Sequence, residues 1–414
     1  MICVRHTSES HSKMIMSKKI RIRHFGPIAE SGELDITAVM VFCGQQGSGK
    51  STIAKLISTC SWIEKALARQ EITVKELTAK NFRGKYCGYH YLSNFFKEDK
   101  TYIRYQGDRV EITYSEGSLS VVEIPNGNYH MPQIMYVPAE RNFMVAVEQA
   151  EKIRNLPPSL VTMQQVFRKA MGVGDYKIPI DGFSVHYDKF NKITWLHGKD
   201  YRLRLHEAAS GLQSAIPLIV VSVYLSLLVE QGVAHEMSAE ELDKLQKEVN
   251  QILEDKNLTD VLRRALIEQL NRRYKNECFL NIVEEPEQNL FPLSQKDVLH
   301  KFLALFNTNA NNGLIITTHS PYIIDELSLA VKAGSILKEG EDRGIAESIG
   351  KIVPVGSCLS QEQLSIYEIR EDGCVVQLPC YDGLPSDENY LNVSLMESNE
   401  RFNSLLEIED GLES

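Results

Sequence analysis

The chain has 414 residues, 43% of them hydrophobic and 24% charged, which is enough to bury a large core and too apolar for a disordered polymer. Its net charge of −10 and pI near 5.7 exclude adhesion to nucleic acid over the whole surface, while a local basic groove stays compatible with them. Eight cysteines without a C-x-x-C pair point to reduced, structural thiols rather than a disulfide framework or a zinc site.

Residues 1–16 carry Arg5, His6 and His11 but no apolar stretch of signal-peptide type, and Met14 and Met16 stand just before a lysine pair. They are expected to be a disordered leader, and the expected compartment is the cytoplasm. On the first strand, Arg21, Arg23, His24 and Phe25 precede Gly26-Pro27 and are candidates to flank an adenine base.

The firmest motif follows. Ala38–Phe42 is a short apolar strand, then comes Gly44-Gln45-Gln46-Gly47-Ser48-Gly49-Lys50-Ser51, with Thr52 opening an apolar-periodic helix. This is G-x-x-x-x-G-K-[ST] in the context it needs, strand before and helix after. Glycines let consecutive N–H groups turn toward phosphate oxygens, and the helix N-terminus adds its dipole. Lys50 is placed to bridge the β- and γ-phosphates of ATP, and the Ser51 hydroxyl to join the shell of Mg²⁺.

Residues 101–124 alternate in three short runs separated by turns, which predicts an antiparallel β lobe at about residues 80–130. The aromatics Tyr86, Tyr89, His90, Tyr91, Phe95 and Phe96 read as a small core rather than a base-stacking platform. A second hairpin set is expected at 183–187, 193–197 and 201–205. The segment His206–Ser214 includes Ser210-Gly211 at the entry to a long helix, where free N–H groups suit an anion. That helix contains the apolar run Ala215–Leu228, which is interrupted by Pro217, Ser222 and Ser226 and is shorter than the roughly 20 residues a bilayer needs, so no membrane span is expected. From Ser238, a capping box with Glu241 opens a charged periodic stretch to about Asn276.

Cys278–Val283 reads as a buried strand that delivers Glu284-Glu285-Pro286-Glu287. Adjacent carboxylates there suit Mg²⁺ binding by Glu284 and activation of the attacking water by Glu285. A second buried strand, Gly313–Thr317, leads to Thr318-His319-Ser320-Pro321, and a histidine at a strand's carboxyl end can reach a γ-phosphate. Beyond residue 325 the sequence predicts a hairpin, Leu364–Ile369 with Val375–Leu378, and an acidic tail, without a TOPRIM-like, HNH-like or metal-cluster nuclease motif.

In this order, phosphate loop, Ser-Gly-x-Gln, strand with two acids and proline, and strand with histidine, the chain resembles ABC-type ATPases. It looks closest to the soluble branch of RecF, SMC-like and OLD-family proteins, on Glu284-Glu285-Pro286-Glu287 followed by Leu290-Phe291-Pro292 and on Thr317-Thr318-His319-Ser320-Pro321. The resemblance implies an α/β fold with a mixed sheet, an antiparallel β lobe and an inserted helical lobe. It places the core at 17–330, the helical lobe at about 144–275 and a C-terminal α+β extension at 331–414. It also implies a homo-oligomer, at least a dimer, in which Ser210 and Gly211 contact the γ-phosphate on the opposite protomer.

Three departures from the pattern stand out. Ala139-Glu140-Arg141 follows Pro138 where transporter-like members carry glutamine, which makes Glu140 the candidate sensor of metal or water. Glu284 replaces the usual aspartate, and the signature lacks its second glycine. The chain is similar to ATPase subunits of bacterial anti-phage systems of the PARIS or Septu kind, which implies a switch controlling a separate effector. The alternatives are a RecF-like DNA-repair ATPase on DNA ends or junctions and an ATP-dependent scaffold with little turnover.

Overall fold

The computed structural model describes residues 18–124, 129–147, 153, 155–233, 239–255, 257–340, 343–381, 384–385 and 389–413. The leader at 1–16 and Ser238 of the capping box lie outside the described residues.

Five parallel strands form the centre, and their sequences explain their position. β3 (Val39–Gly44) is buried at all six residues and β12 (Cys278–Glu284) at six of seven, as strands covered on both faces must be. They lie with β7 (Pro132–Val137), β13 (Gly313–Thr317) and β14 (Leu364–Ile369) in a six-stranded sheet of order β15-β14-β3-β13-β12-β7, where β15 (Val375–Gln377) is the one antiparallel member. Alternation along β3 assigns its two faces. Met40 and Phe42 pack toward α1 (Lys50–Ala68) through Ile53, Leu56 and Ile57. Val39, Val41 and Cys43 pack toward α5 (Ser210–Glu230) and α8 (Pro292–Phe306).

α5 is longer than its apolar run and by length and composition alone could cross a membrane, yet most of it is buried in the protein. Its neighbours are α3 (Phe143–Ala146), α4 (Pro158–Val173), α8 and β12. The polar interruption of β12 is thereby explained: the Asn281 side chain donates to Ser222 Oγ of α5 at 3.0 Å.

The β lobe differs from the expected 80–130. It is a five-stranded antiparallel sheet, β2-β1-β4-β5-β6, in which β4 (Tyr102–Gln106), β5 (Val110–Ser115) and β6 (Ser118–Glu123) join β1 (Lys19–Phe25) and β2 (Ile28–Asp35). The reason is register. Ile20 and Ile22 of β1 lie opposite Tyr105 and Ile103 of β4 and enter one core with them. Residues 79–95 are short helical turns, including α2 (Ala79–Asn81); Phe82, Tyr86 and His90 are buried while Tyr89 and Tyr91 are exposed, and Phe96 meets Phe25, Phe82 and Tyr114 edge-on. Phe25 is fully buried there and is no neighbour for an adenine ring.

The lobe expected to be helical is mixed. It holds a four-stranded antiparallel sheet, β8 (Tyr176–Lys177), β9 (Ser184–Asp188), β10 (Ile193–His197) and β11 (Arg202–Arg204). The charged stretch after residue 238 becomes two helices, α6 (Ala239–Glu254) and α7 (Asp260–Tyr274).

The boundary at 330 also does not hold as a separation. After α9 (Pro321–Glu339) and α10 (Arg343–Gly350), β14 pairs with β3 along its whole length. Tyr367 stacks on Phe42, and its hydroxyl bonds the backbone of Asp35. β16 (Cys380–Tyr381) and β17 (Leu384–Pro385) form a small ribbon, and the acidic tail is a helix, α11 (Tyr390–Glu413).

Because β14 belongs to the central sheet, Ile366→Ala, at a site 3% exposed, should lower the free energy of unfolding by about 2–5 kcal/mol. In urea the loss should move the main transition of the chain. A separate early transition, with the main one unmoved, would mean that the C-terminal segment folds by itself.

Candidate nucleotide site

All the sheet's parallel strands end on one edge, which is where α/β folds bind ligands. The phosphate loop leaves β3 there. Gly44, Gly47 and Gly49 take φ of 136°, 77° and 114°, a region that only glycine enters at little cost. At Gly49 a Cβ would come within 2.5 Å of Ile28 Cδ1, so the turn between β1 and β2 backs directly onto the loop. α1 starts at Lys50 with no side-chain cap and no acid in its first turn, which leaves its first N–H groups and dipole for an anion.

Lys50 is buried, and its Nζ donates to the carbonyls of Gly44 (3.0 Å) and Gln45 (2.7 Å). Burial pulls its pKa down to about 8, against the opposing pull of Glu285, Cys43, Glu287 and Glu284. Ser48 Oγ is buried with no partner, a donor free for a phosphate oxygen. Gln45 Nε2 is held by Glu371 and, at 2.7 Å, by the Tyr390 hydroxyl at the start of α11. Gln46 and Gly47 are exposed and Thr52 is buried.

β12 carries Glu284 into the end of the sheet, where it is 3% exposed. Its Oε2 accepts the Ala139 N–H at 3.1 Å, while Oε1 has no hydrogen-bond partner and lies 3.8 Å from Lys55 Nζ. A buried carboxylate oxygen without a donor is costly, and that makes Glu284 fit a divalent cation. Lys55, one turn beyond Ser51 on α1, forms an ion pair with that oxygen, and the charges of Lys50 and Arg141 also act on Glu284.

Glu285 leaves the strand with φ 44° and its N–H on the Thr317 carbonyl. Its Oε1 lies 3.5 Å from His319 Nε2. The His319 contact, with Lys50 and Arg141 nearby, outweighs burial and holds the Glu285 carboxyl below the usual range. It is therefore ionised at neutral pH, as a group that polarises water must be.

Two buried charges went unnoticed as site residues. Glu287 accepts the Thr318 hydroxyl at 2.8 Å and the His319 N–H at 2.7 Å, so it ties the acidic turn to the histidine turn, and burial raises its pKa. Arg141 is completely buried and donates only to backbone carbonyls. Its neighbour Glu140, the expected sensor, is exposed instead. The signal for Arg141 was present as an arginine two residues beyond Pro138-Ala139 at the end of the apolar strand, but nothing in the spacing says that it turns inward.

Ser210 is exposed at the start of α5, and Gly211 is buried with its Cα against the Asn289 carbonyl, which a Cβ would meet at 2.4 Å. Gly211 thus has a packing reason beside any phosphate contact. Ser214 Oγ donates to Gln288 Oε1 at 3.0 Å, and the Gln213 amide bonds the carbonyls of His206 and Ala208. In one chain the phosphate loop, Glu284, Glu285 and His319 converge, while the Ser210 segment is fastened to the turn that follows Glu285.

The glycine-rich turn after β3, the uncapped start of α1 and the shared carboxyl edge of the parallel strands define a P-loop arrangement. A family model described as an AAA ATPase domain matches residues 147–324, a range that includes α5, both glutamates and His319 but begins after the phosphate loop. No curated protein matches the chain. Among solved structures, the SMC head domain from Thermotoga maritima is similar at 10% identity and TM-score 0.37, over 88% of this chain and 99% of that one. An SMC head bound to the C-winged helix domain of ScpA is similar at 9% identity and TM-score 0.36, over 87% and 96%. The recombination mediator protein RecF is similar at 11% identity and TM-score 0.30, over 88% and 99%.

Lys50 is charged below its pKa and neutral above it, so affinity for ATP should fall as pH rises through about 8, by up to about tenfold per pH unit. Titration calorimetry at pH 7 and 9 measures this. Lys50→Arg should flatten the dependence, because guanidinium stays charged; an equal slope in both proteins would assign the titration to another group.

Proposed function

We propose that the chain is an ATP-hydrolysing switch that works as a dimer or larger homo-oligomer and controls a separate effector protein. The observation that carries this reading is the meeting of Lys50, Glu285 and His319 at one sheet edge, beside the Glu284 oxygen that has no hydrogen-bond partner. Lys50 and the loop N–H groups bind the β- and γ-phosphates. Ser51 and Glu284 hold Mg²⁺, with Glu140 the candidate further ligand; the cation supplies charge that offsets the phosphate oxygens. Glu285 orients and polarises water for in-line attack on the γ-phosphorus. The new P–O bond forms as the bond to the ADP oxygen breaks, and His319 donates to the γ-phosphate oxygens.

Ser210 and Gly211 of a second copy complete the site, and the exposure of Ser210 in one chain supports this. Resemblance to anti-phage ATPase subunits supports a role in antiviral defence, in the cytoplasm. A second reading, a nucleic-acid-binding ATPase of the DNA-repair kind, is favoured by one surface. The outer face of the β9-β10-β11 sheet aligns His186, Trp195 and Arg204 in one row and His197 with Arg202 in the next, and Arg202 lies 4.9 Å over the Trp195 ring.

Light scattering on Glu285→Gln with ATP and Mg²⁺, beside Lys50→Ala, tests the switch. Mass should rise with ATP in Glu285→Gln alone, because ATP binds and persists there. If neither protein responds and both stay monomeric, the dimer mechanism fails. DNA binding that needs ATP and weakens with salt would favour the second reading.

A further inference from the structure

Arg141 is the bulkiest fully buried side chain among the described residues, and its recorded hydrogen bonds reach three separate segments. Nη1 donates to the Glu284 carbonyl at 2.6 Å and the Pro138 carbonyl at 3.2 Å, Nη2 to the Glu285 carbonyl at 2.6 Å, and Nε to the Ser214 carbonyl at 3.2 Å. The fork therefore holds the end of β7, the backbone of both candidate catalytic-strand glutamates, and the first turns of α5. A buried cation that served packing alone could be replaced by an apolar side chain with little loss or even a gain. This one instead spends every nitrogen on a carbonyl, and two of the four carbonyls belong to the residues whose carboxylates face the nucleotide.

The partners make the arrangement directional. Glu285 sits at φ 44° just beyond the last pair of the β12–β13 ladder, Glu284 with Thr317, so its backbone is held by the Thr317 carbonyl on one side and by Arg141 on the other. Ser214 lies one turn beyond Ser210. In that same region of α5 stands Pro217, which has no N–H for the Gln213 carbonyl, so the helical ladder lacks one bond there. Displacement of the α5 entry is thus transmitted to Glu285 through one rigid planar group. Burial lowers the Arg141 pKa only to about 10, with the Glu287, Glu285 and Glu284 charges holding it up, so the fork is charged at neutral pH.

We propose that Arg141 is a positioning residue that couples the signature helix to the water-activating carboxylate, so that Glu285 is set for hydrolysis only when the entry of α5 is engaged by nucleotide on a second copy. This rests on the dimeric ATPase reading above. Lysine keeps the charge but has one nitrogen, which can reach the Glu284 or Glu285 carbonyl and not Ser214 as well.

The test uses the full chain. In Arg141→Lys, ATP affinity and ATP-driven mass gain in the Glu285→Gln background should be retained, while kcat falls at least about tenfold with KM changed by less than about twofold. In the parent, specific activity should rise with protein concentration as dimers form; in Arg141→Lys the dimer should form without that rise. Unchanged kcat in Arg141→Lys, with the parent active, overturns the coupling role and leaves the ATPase reading standing. A parent that never hydrolyses ATP at any concentration overturns that reading itself. If Arg141→Lys is unfolded, Arg141→Gln is assayed in the same way, and loss of folding in both overturns the proposal in favour of a purely structural arginine.

Discussion

The site depends on one constraint, the parallel hydrogen bonding of β3 to β13 and of β13 to β12. Parallel pairing requires every strand to end on the same edge, so the turns after Cys43-Gly44, Glu284 and Thr317 are neighbours by construction. The β13–β12 ladder runs from Gly313 opposite Leu280 to Thr317 opposite Glu284, and the β13–β3 ladder ends with Thr317 opposite Phe42. A one-residue slip in either would turn the strand's side chains to the opposite face of the sheet and move Glu284 out of line with Thr317. The burial of Val283 and Ile316 and the exposure of Glu285 and His319 to the cleft are therefore settled by the same register. The tie from Glu287 to Thr318 and to the His319 backbone then locks the two turns together.

Charge inside this edge is arranged as carefully as shape. Lys50, Glu284, Glu287 and Arg141 are all nearly or wholly buried, and each is expensive to place there unless hydrogen-bonded or paired. Arg141 is satisfied at every nitrogen by fixed carbonyls and acts as a strut. Glu287 ties the two turns together through Oε1, while its Oε2, like Oε1 of Glu284, is buried without a hydrogen-bond partner. Lys50 is satisfied by the carbonyls of its own loop. The edge therefore holds one fixed cation and two carboxylates, each with one oxygen that no described group satisfies by a hydrogen bond.

The phosphate loop, the two apolar strands and the antiparallel hairpins were legible because each is encoded locally, by glycines in a turn, by unbroken apolar runs or by alternation. What stayed hidden depended on distant partners. β1 and β2 could not be joined to the β lobe before the pairing of Ile20 with Tyr105 was known. Leu364–Ile369 was readable as a strand, but nothing in it says that its neighbour is Val39–Gly44. Nothing in the sequence around Arg141 marks its direction, and the carbonyls of Ser214, Glu284 and Glu285, far away in sequence, are what turn it inward. The aromatic cluster reads as core for Tyr86, His90 and Phe96, which are buried, but not for Tyr89 and Tyr91, which are exposed, and Phe25 was misread because its place before a turn suggested a ligand.

The position of β14 has a consequence for how the protein is made. The phosphate-loop strand is flanked by β13 on one side and β14 on the other, and Tyr367 bonds Asp35 across 332 positions of sequence. At about 5–20 residues per second, a ribosome needs roughly 17–66 s to cover that distance. Throughout that interval the apolar flank of β3 lacks β14, so the phosphate-loop strand is made long before the strand that encloses it.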